Sequence, residues 1–275
     1  CREPLVRAQS PNLRVFCIPE LEAVYRQPAQ RAVMQDWLGR LIACAQECGL
    51  TVCVSLDPTS PGRDEAIRAA GLTPSPDLYT DLTVAAARAI LAQYPTIDVL
   101  EILTVENTDV WPAPKTLAQA WGQLASSVNL PVGKLPQAEH DQQAARALMG
   151  AAGDLQVSVR AIQELRTDPA LAGKRLSAGI YCTNRWIWPL LGRYADALIP
   201  VDVEFTCLAG HSSVPVARHL TDALPPRLLR RTRIYAWCEF DGEMYLQQNE
   251  VSGLAQCLAL ARTAGVPSPV AIVAN

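Results

Sequence analysis

Apolar runs rich in β-branched residues recur along this chain, and each is followed by a stretch with helical periodicity. LRVFCIP (13–19) leads into LEAVYRQPAQRAVMQDWLGRLIACAQECG, where Gly49 offers a helix stop. TVCVSLDP (51–58) precedes the helix-like TDLTVAAARAILAQYP, and IDVLEILTVEN (97–107) precedes a long, mostly helical insertion at about 112–173. LSAGIYCTNR (176–185), ALIPVDVEFT (197–206), RTRIYAWCEF (231–240) and PVAIVAN (269–275) complete the series. Between these last four lie WPLLGRYAD, VPVARHLTDALPPRLLR and VSGLAQCLALARTAGV. Strict alternation without an Asn-Gly hairpin signal predicts a parallel sheet with helical crossovers.

Two α/β architectures satisfy that pattern: an open doubly wound sheet and a closed (β/α)8 TIM barrel. The open sheet usually carries a Gly-rich phosphate turn, and neither GxGxxG nor GxxxxGK[ST] occurs. The expectation is therefore a single (β/α)8 barrel domain over 1–275. Seven strands are legible, so the first is missing or partial, with residues 4–9 a weaker candidate for its remnant. On this alignment LRVFCIP is the second barrel strand and PVAIVAN the eighth. The chain opens at Cys1 without an initiator Met or a signal peptide, which reads as an internal fragment and leaves localisation open.

With 275 residues, about half apolar, and a net charge of −3, the chain can bury a large core. No basic run points to nucleic acid, and no apolar stretch reaches the roughly 20 residues of a membrane span. Nine cysteines include no CxxC pair. Cys17, Cys53, Cys182, Cys207 and Cys238 lie in or beside strand runs, and Cys44 and Cys48 on a helix; core packing is the expectation for them rather than zinc.

In a barrel the chemistry collects where the strands end. The second strand delivers Pro19 and Glu20, the third Asp57, and the fourth Glu106, Asn107, Asp109 and Trp111. The fifth delivers Asn184, Arg185, Trp186 and Trp188, the sixth Glu204 with His211 in its loop, the seventh Trp237, Glu239 and Asp241, and the eighth Asn275. A lone acid at a strand end is usually a helix cap or a surface ion pair, but here consecutive strands all carry polar ends. Trp37 and Trp121 sit at helical spacing and are expected in the core. Indole faces beside carboxylates suit a sugar ring, although aromatic packing under long loops gives the same count.

Glycosidic cleavage needs one protonated and one ionised carboxyl, and Glu106 and Glu239 would face each other across the barrel mouth. TVENTDVW and IYAWCEFDG thereby resemble the barrel glycoside hydrolases, which carry an acid on the fourth strand and a nucleophile on the seventh. Many of those read Asn-Glu where this chain has Glu106-Asn107. YPTIDVLEILTVEN, after SPDLYTDLTVAAARAILAQ, is also similar to barrel proteins distantly like α-glucuronidases and agarases. The resemblance implies Glu106 as acid/base and Glu239 as nucleophile, with no cofactor and a carbohydrate substrate. It makes Asn107, Asn184, Arg185 and Glu204 holders of hydroxyls or a substrate carboxylate, and the tryptophans platforms. The Arg185 fork fits an acidic sugar; an ion pair with Glu204 fits it equally.

Other barrel chemistries lack their residues. No strand ends in Lys for a Schiff base, since the lysines are Lys115, Lys134 and Lys174. His140, His211 and His219 are too few and too scattered for a zinc amidohydrolase. A magnesium site of the enolase kind would use Asp57 and Glu106, but Asn184-Arg185 opposes a cation. The rival from another class is a non-catalytic carbohydrate-binding or scaffold barrel of a larger protein. Glu106 shares a strand face with Thr104 and Ile102, and Glu239 with Trp237 and Tyr235; the pattern leaves open which face is interior.

Overall fold

The computed structural model describes residues 28–59, 67–104, 111–135, 141–181, 187–209, 223–239, 259–267 and 270–274. The strand expected at 13–19 lies outside them. The chain is α/β. Six strands form one sheet in the order β1 (Cys53–Leu56), β2 (Val99–Thr104), β3 (Arg175–Tyr181), β4 (Glu204–Ala209), β5 (Thr232–Glu239) and β6 (Val270–Ala274). Every neighbouring pair is parallel. They correspond to the third to eighth expected strands. Sequence order and spatial order coincide, so the sheet has no point where its winding reverses, unlike the doubly wound folds.

The helices are α1 (Pro28–Glu47), α2 (Pro76–Gln93), α3 (Leu117–Ser127), α4 (Asp141–Leu165), α5 (Trp188–Leu198) and the short α6 (Pro226–Leu229). Gly49 ends α1 as expected: at φ 74° its N–H reaches the Gln46 carbonyl while Leu50 N–H reaches that of Ala45. α2 begins at Pro76, four residues earlier than its apolar periodicity, because Ser75 caps it by accepting from Leu78 N–H at 3.2 Å. α3 and α4 occupy the expected helical insertion, and α4 packs against α2, α3, α5 and β3.

One sheet face is apolar and packs on this helical layer through Leu56, Leu100, Ile102, Ala178, Ile180, Phe205 and Cys207. The other face is concave and carries polar side chains. The register aligns Ser55, Glu101, Ser177 and Glu204 in one row and Leu103, Gly179, Thr206 and Arg233 in the next. In a flat sheet β1 and β5 would stand about 19 Å apart. Yet Arg233 Nη1 on β5 lies 3.7 Å from Cys53 Sγ on β1, so the sheet curls until its own face meets itself.

Three expectations are corrected here. The run 197–206 is not a strand: α5 extends to Leu198, a turn closes from Val203 N–H to the Pro200 carbonyl, and β4 starts only at Glu204. Pro200 breaks the run, and the Arg231 guanidinium gathers the Ile199, Pro200 and Val203 carbonyls left at the end of α5. Trp37 is 48% exposed, because α1 buries Ile42 and turns Leu38 and Gly39 inward on its other side. Cys44 and Cys48 are also exposed, whereas Cys207 is in the core. Trp121 is fully buried as expected, its indole donating to the Val132 carbonyl at 2.7 Å.

Candidate functional site

Because the strands are parallel, their six C-terminal ends lie along one edge of the sheet and their N-terminal ends along the other. Glu239 is the last residue of β5. Arg233, near the start of the same strand, lies on the concave face. The concave face is the inner one. On β2 it belongs to Glu101 and Leu103, whereas Leu100 and Ile102 pack on the helices, so the face the sequence assigned to Glu106 is the helical one as far as the strand runs, to Thr104. Glu106, Asn107, Asp109, Asn184, Arg185, Trp186, His211 and Asp241 lie outside the described residues.

Glu204 is at the opposite edge from the one expected. It opens β4 instead of closing it, since the strand starts seven residues later than the apolar run. There it receives Nη2 of Arg233 and stands 3.3 Å from Nη1 of Arg175. A cleft of about 360 Å³ beside it is lined by Arg166, Lys174, Arg175, Asp202 and Glu204. Its cations are engaged: Lys174 donates to the Pro95 and Ile97 carbonyls at 2.5 and 2.7 Å, and Arg166 pairs with Asp202. This edge is a brace of ion pairs around the strand starts.

At the C-terminal edge, Asp57 follows β1 and its Oδ1 accepts from Thr59 N–H at 3.1 Å, a local turn. Thr59 is buried, with its hydroxyl 3.5 Å from that of Thr104 at the end of β2. Trp111, expected as a platform on the rim, is docked onto the helices. Its Nε1 donates to Oδ1 of the buried Asp154 on α4 at 2.7 Å, and its ring meets Tyr79 of α2 at 6.1 Å between centroids. Gly153 makes room, because a Cβ there would stand 2.5 Å from the indole. Trp188 likewise begins α5 in the core and not on the rim.

The concave face holds the polar residues that attention to strand ends overlooks. Glu101 lies mid-strand and is 2% exposed. Its Oε1 accepts from the Thr206 hydroxyl at 2.6 Å, and that hydroxyl is 2.6 Å from Ser177 Oγ. Arg233 Nη1 stands 3.8 Å from the same Oε1. Burial pushes the Glu101 carboxyl above the usual range; the Thr206 hydroxyl, the Arg233 charge and the Ser55 hydroxyl pull it back, and Glu204 pushes it further up. The signal was present in the sequence, as one charged residue inside the otherwise apolar VLEILT and one inside TRIYAW. No protein-family model matches this chain, and no curated protein or solved structure matches it either.

Proposed function

We propose that this chain forms most of a (β/α)8 barrel and acts as a glycoside hydrolase, with Glu239 as nucleophile and Glu106 as acid/base. The observation that carries the reading is the unbroken β1-to-β6 order of a parallel sheet curled far enough for β1 and β5 side chains to meet. Such winding gathers all strand ends into one mouth, where barrel enzymes keep their chemistry. Glu239 ends β5, and the segment holding Glu106 leaves the end of β2, three strands away. In this reading Asn107, Asn184 and Arg185 hold the substrate, and Arg185 selects an acidic sugar through its bidentate fork. The reaction needs no cofactor: one carboxyl protonates the leaving oxygen while the other attacks the anomeric carbon.

A barrel without turnover, carbohydrate-binding or scaffold, is the second reading. The observation favouring its scaffold form is Trp111, whose indole is committed to Asp154 and Tyr79 and so is lost as a sugar platform. Turnover of a panel of aryl glycosides and acidic oligosaccharides separates the two. The hydrolase reading expects release of the aglycone, and a loss of several orders of magnitude in both Glu106→Gln and Glu239→Gln with folding retained. Near-normal rates in either variant reject its assignment. Calorimetric sugar binding without any turnover selects the second reading.

A further inference from the structure

Two carboxyls and one buried guanidinium share the concave face. Arg233 is committed to Glu204, whose other oxygen also meets Arg175. Glu101 is left with hydroxyl neighbours: it accepts from Thr206 at 2.6 Å and from Ser55, while Arg233 Nη1 remains at 3.8 Å, beyond hydrogen-bond reach. Among the described residues, the polar and charged groups around Glu101 are Cys53 and Ser55 of β1, Arg175 and Ser177 of β3, Glu204 and Thr206 of β4, and Arg233 of β5. Two acids that share one cation away from water do not both ionise readily, and the proton stays on the one with the weaker partner.

We infer that Glu101 is carried in the folded chain as a neutral acid, and that its ionisation draws Arg233 away from Glu204, making the concave face a proton-responsive latch. The proton leaves to solvent, and the guanidinium, already 3.8 Å away, closes on the new carboxylate. Arg175 is then the cation remaining at Glu204 among the described residues. Burial of Glu101, which holds its proton more tightly in the folded state, acts in the same direction. A group whose folded value is raised contributes stability that is complete below its unfolded value and is lost as pH rises through the folded one.

The test is the thermal midpoint of the whole chain between about pH 5 and about pH 9, above the ordinary glutamate value. The midpoint of the wild-type chain is expected to fall across this window relative to Glu101→Gln, with the two within about 4 °C of each other at the acid end. Thr206→Val removes a donor to the ionised form and should move the fall to higher pH. Glu204→Gln frees Arg233 for Glu101 and should move it to lower pH. A lone structural role would lower the midpoint in both variants without displacing the fall. Parallel wild-type and Glu101→Gln profiles overturn the inference, as does displacement of both other variants in one direction. Should Glu101→Gln fail to fold, the opposite displacements of Thr206→Val and Glu204→Gln still decide it.

Discussion

Gly179 lies on the concave face in close contact with its neighbours. A Cβ there would come within 2.6 Å of Leu103 Cδ1 and 3.1 Å of the Thr206 carbonyl oxygen, and the latter is backbone that cannot swing aside. Gly179→Ala is expected to cost about 1–3 kcal/mol, read as a lower denaturant midpoint. Gly153 faces a similar test against the Trp111 ring, but there the indole can move. Gly153→Ala should therefore release the Trp111–Asp154 hydrogen bond and alter the near-ultraviolet signal of the tryptophans. At this scale the sequence was least legible. Trp37 and Trp121 have the same helical spacing, yet Trp121 is buried beneath Arg193, whose guanidinium lies 4.8 Å from its ring centroid, and Trp37 is half exposed. The difference arises because α1 carries apolar residues on two faces, and periodicity alone does not say which one meets the core.

At the scale of elements, capping chemistry decided boundaries that periodicity missed. Ser75 and Pro76 start α2, so Ser75→Ala should lower stability by about 1 kcal/mol in a chemical denaturation experiment, with Ser75→Gly costing less. The strand–helix alternation was legible because each element writes its own period into the sequence. Six of the seven expected strands fall among the described residues. The failure at 197–206 had a local cause: an apolar run is shared by the end of α5, a proline turn and the start of β4. That slip carried Glu204 to the wrong edge of the sheet. A proline inside an apolar run was the available warning.

For the whole molecule, the curl of the sheet rests on side chains far apart in the chain. Arg233 meets Cys53, Glu101 and Glu204 on three different strands. Arg233→Met leaves the Glu204 carboxylate, three-quarters buried, with the half-exposed Arg175 as its remaining cation among the described residues, and is expected to cost about 3–5 kcal/mol, measured by equilibrium unfolding. Parallel winding followed from element order, whereas the extent of the curl did not, since no local pattern encodes a contact between residues 53 and 233. Of the proposed pair, Glu239 ends its strand as the sequence suggested, and Glu106 lies outside the described residues. The concave-face network was not legible, because a single charge within an apolar run reads as noise until its partners are known.

The same long-range meeting constrains how the chain can be born. As synthesis proceeds from the N-terminus, β1 to β4 emerge before residue 233 exists, so Glu101 and Glu204 wait with Arg175 as the nearby cation. The nascent sheet can pair its neighbouring strands in turn, but the contacts that join Cys53, Glu101 and Glu204 across its hollow through Arg233 form only after β5 has left the ribosome.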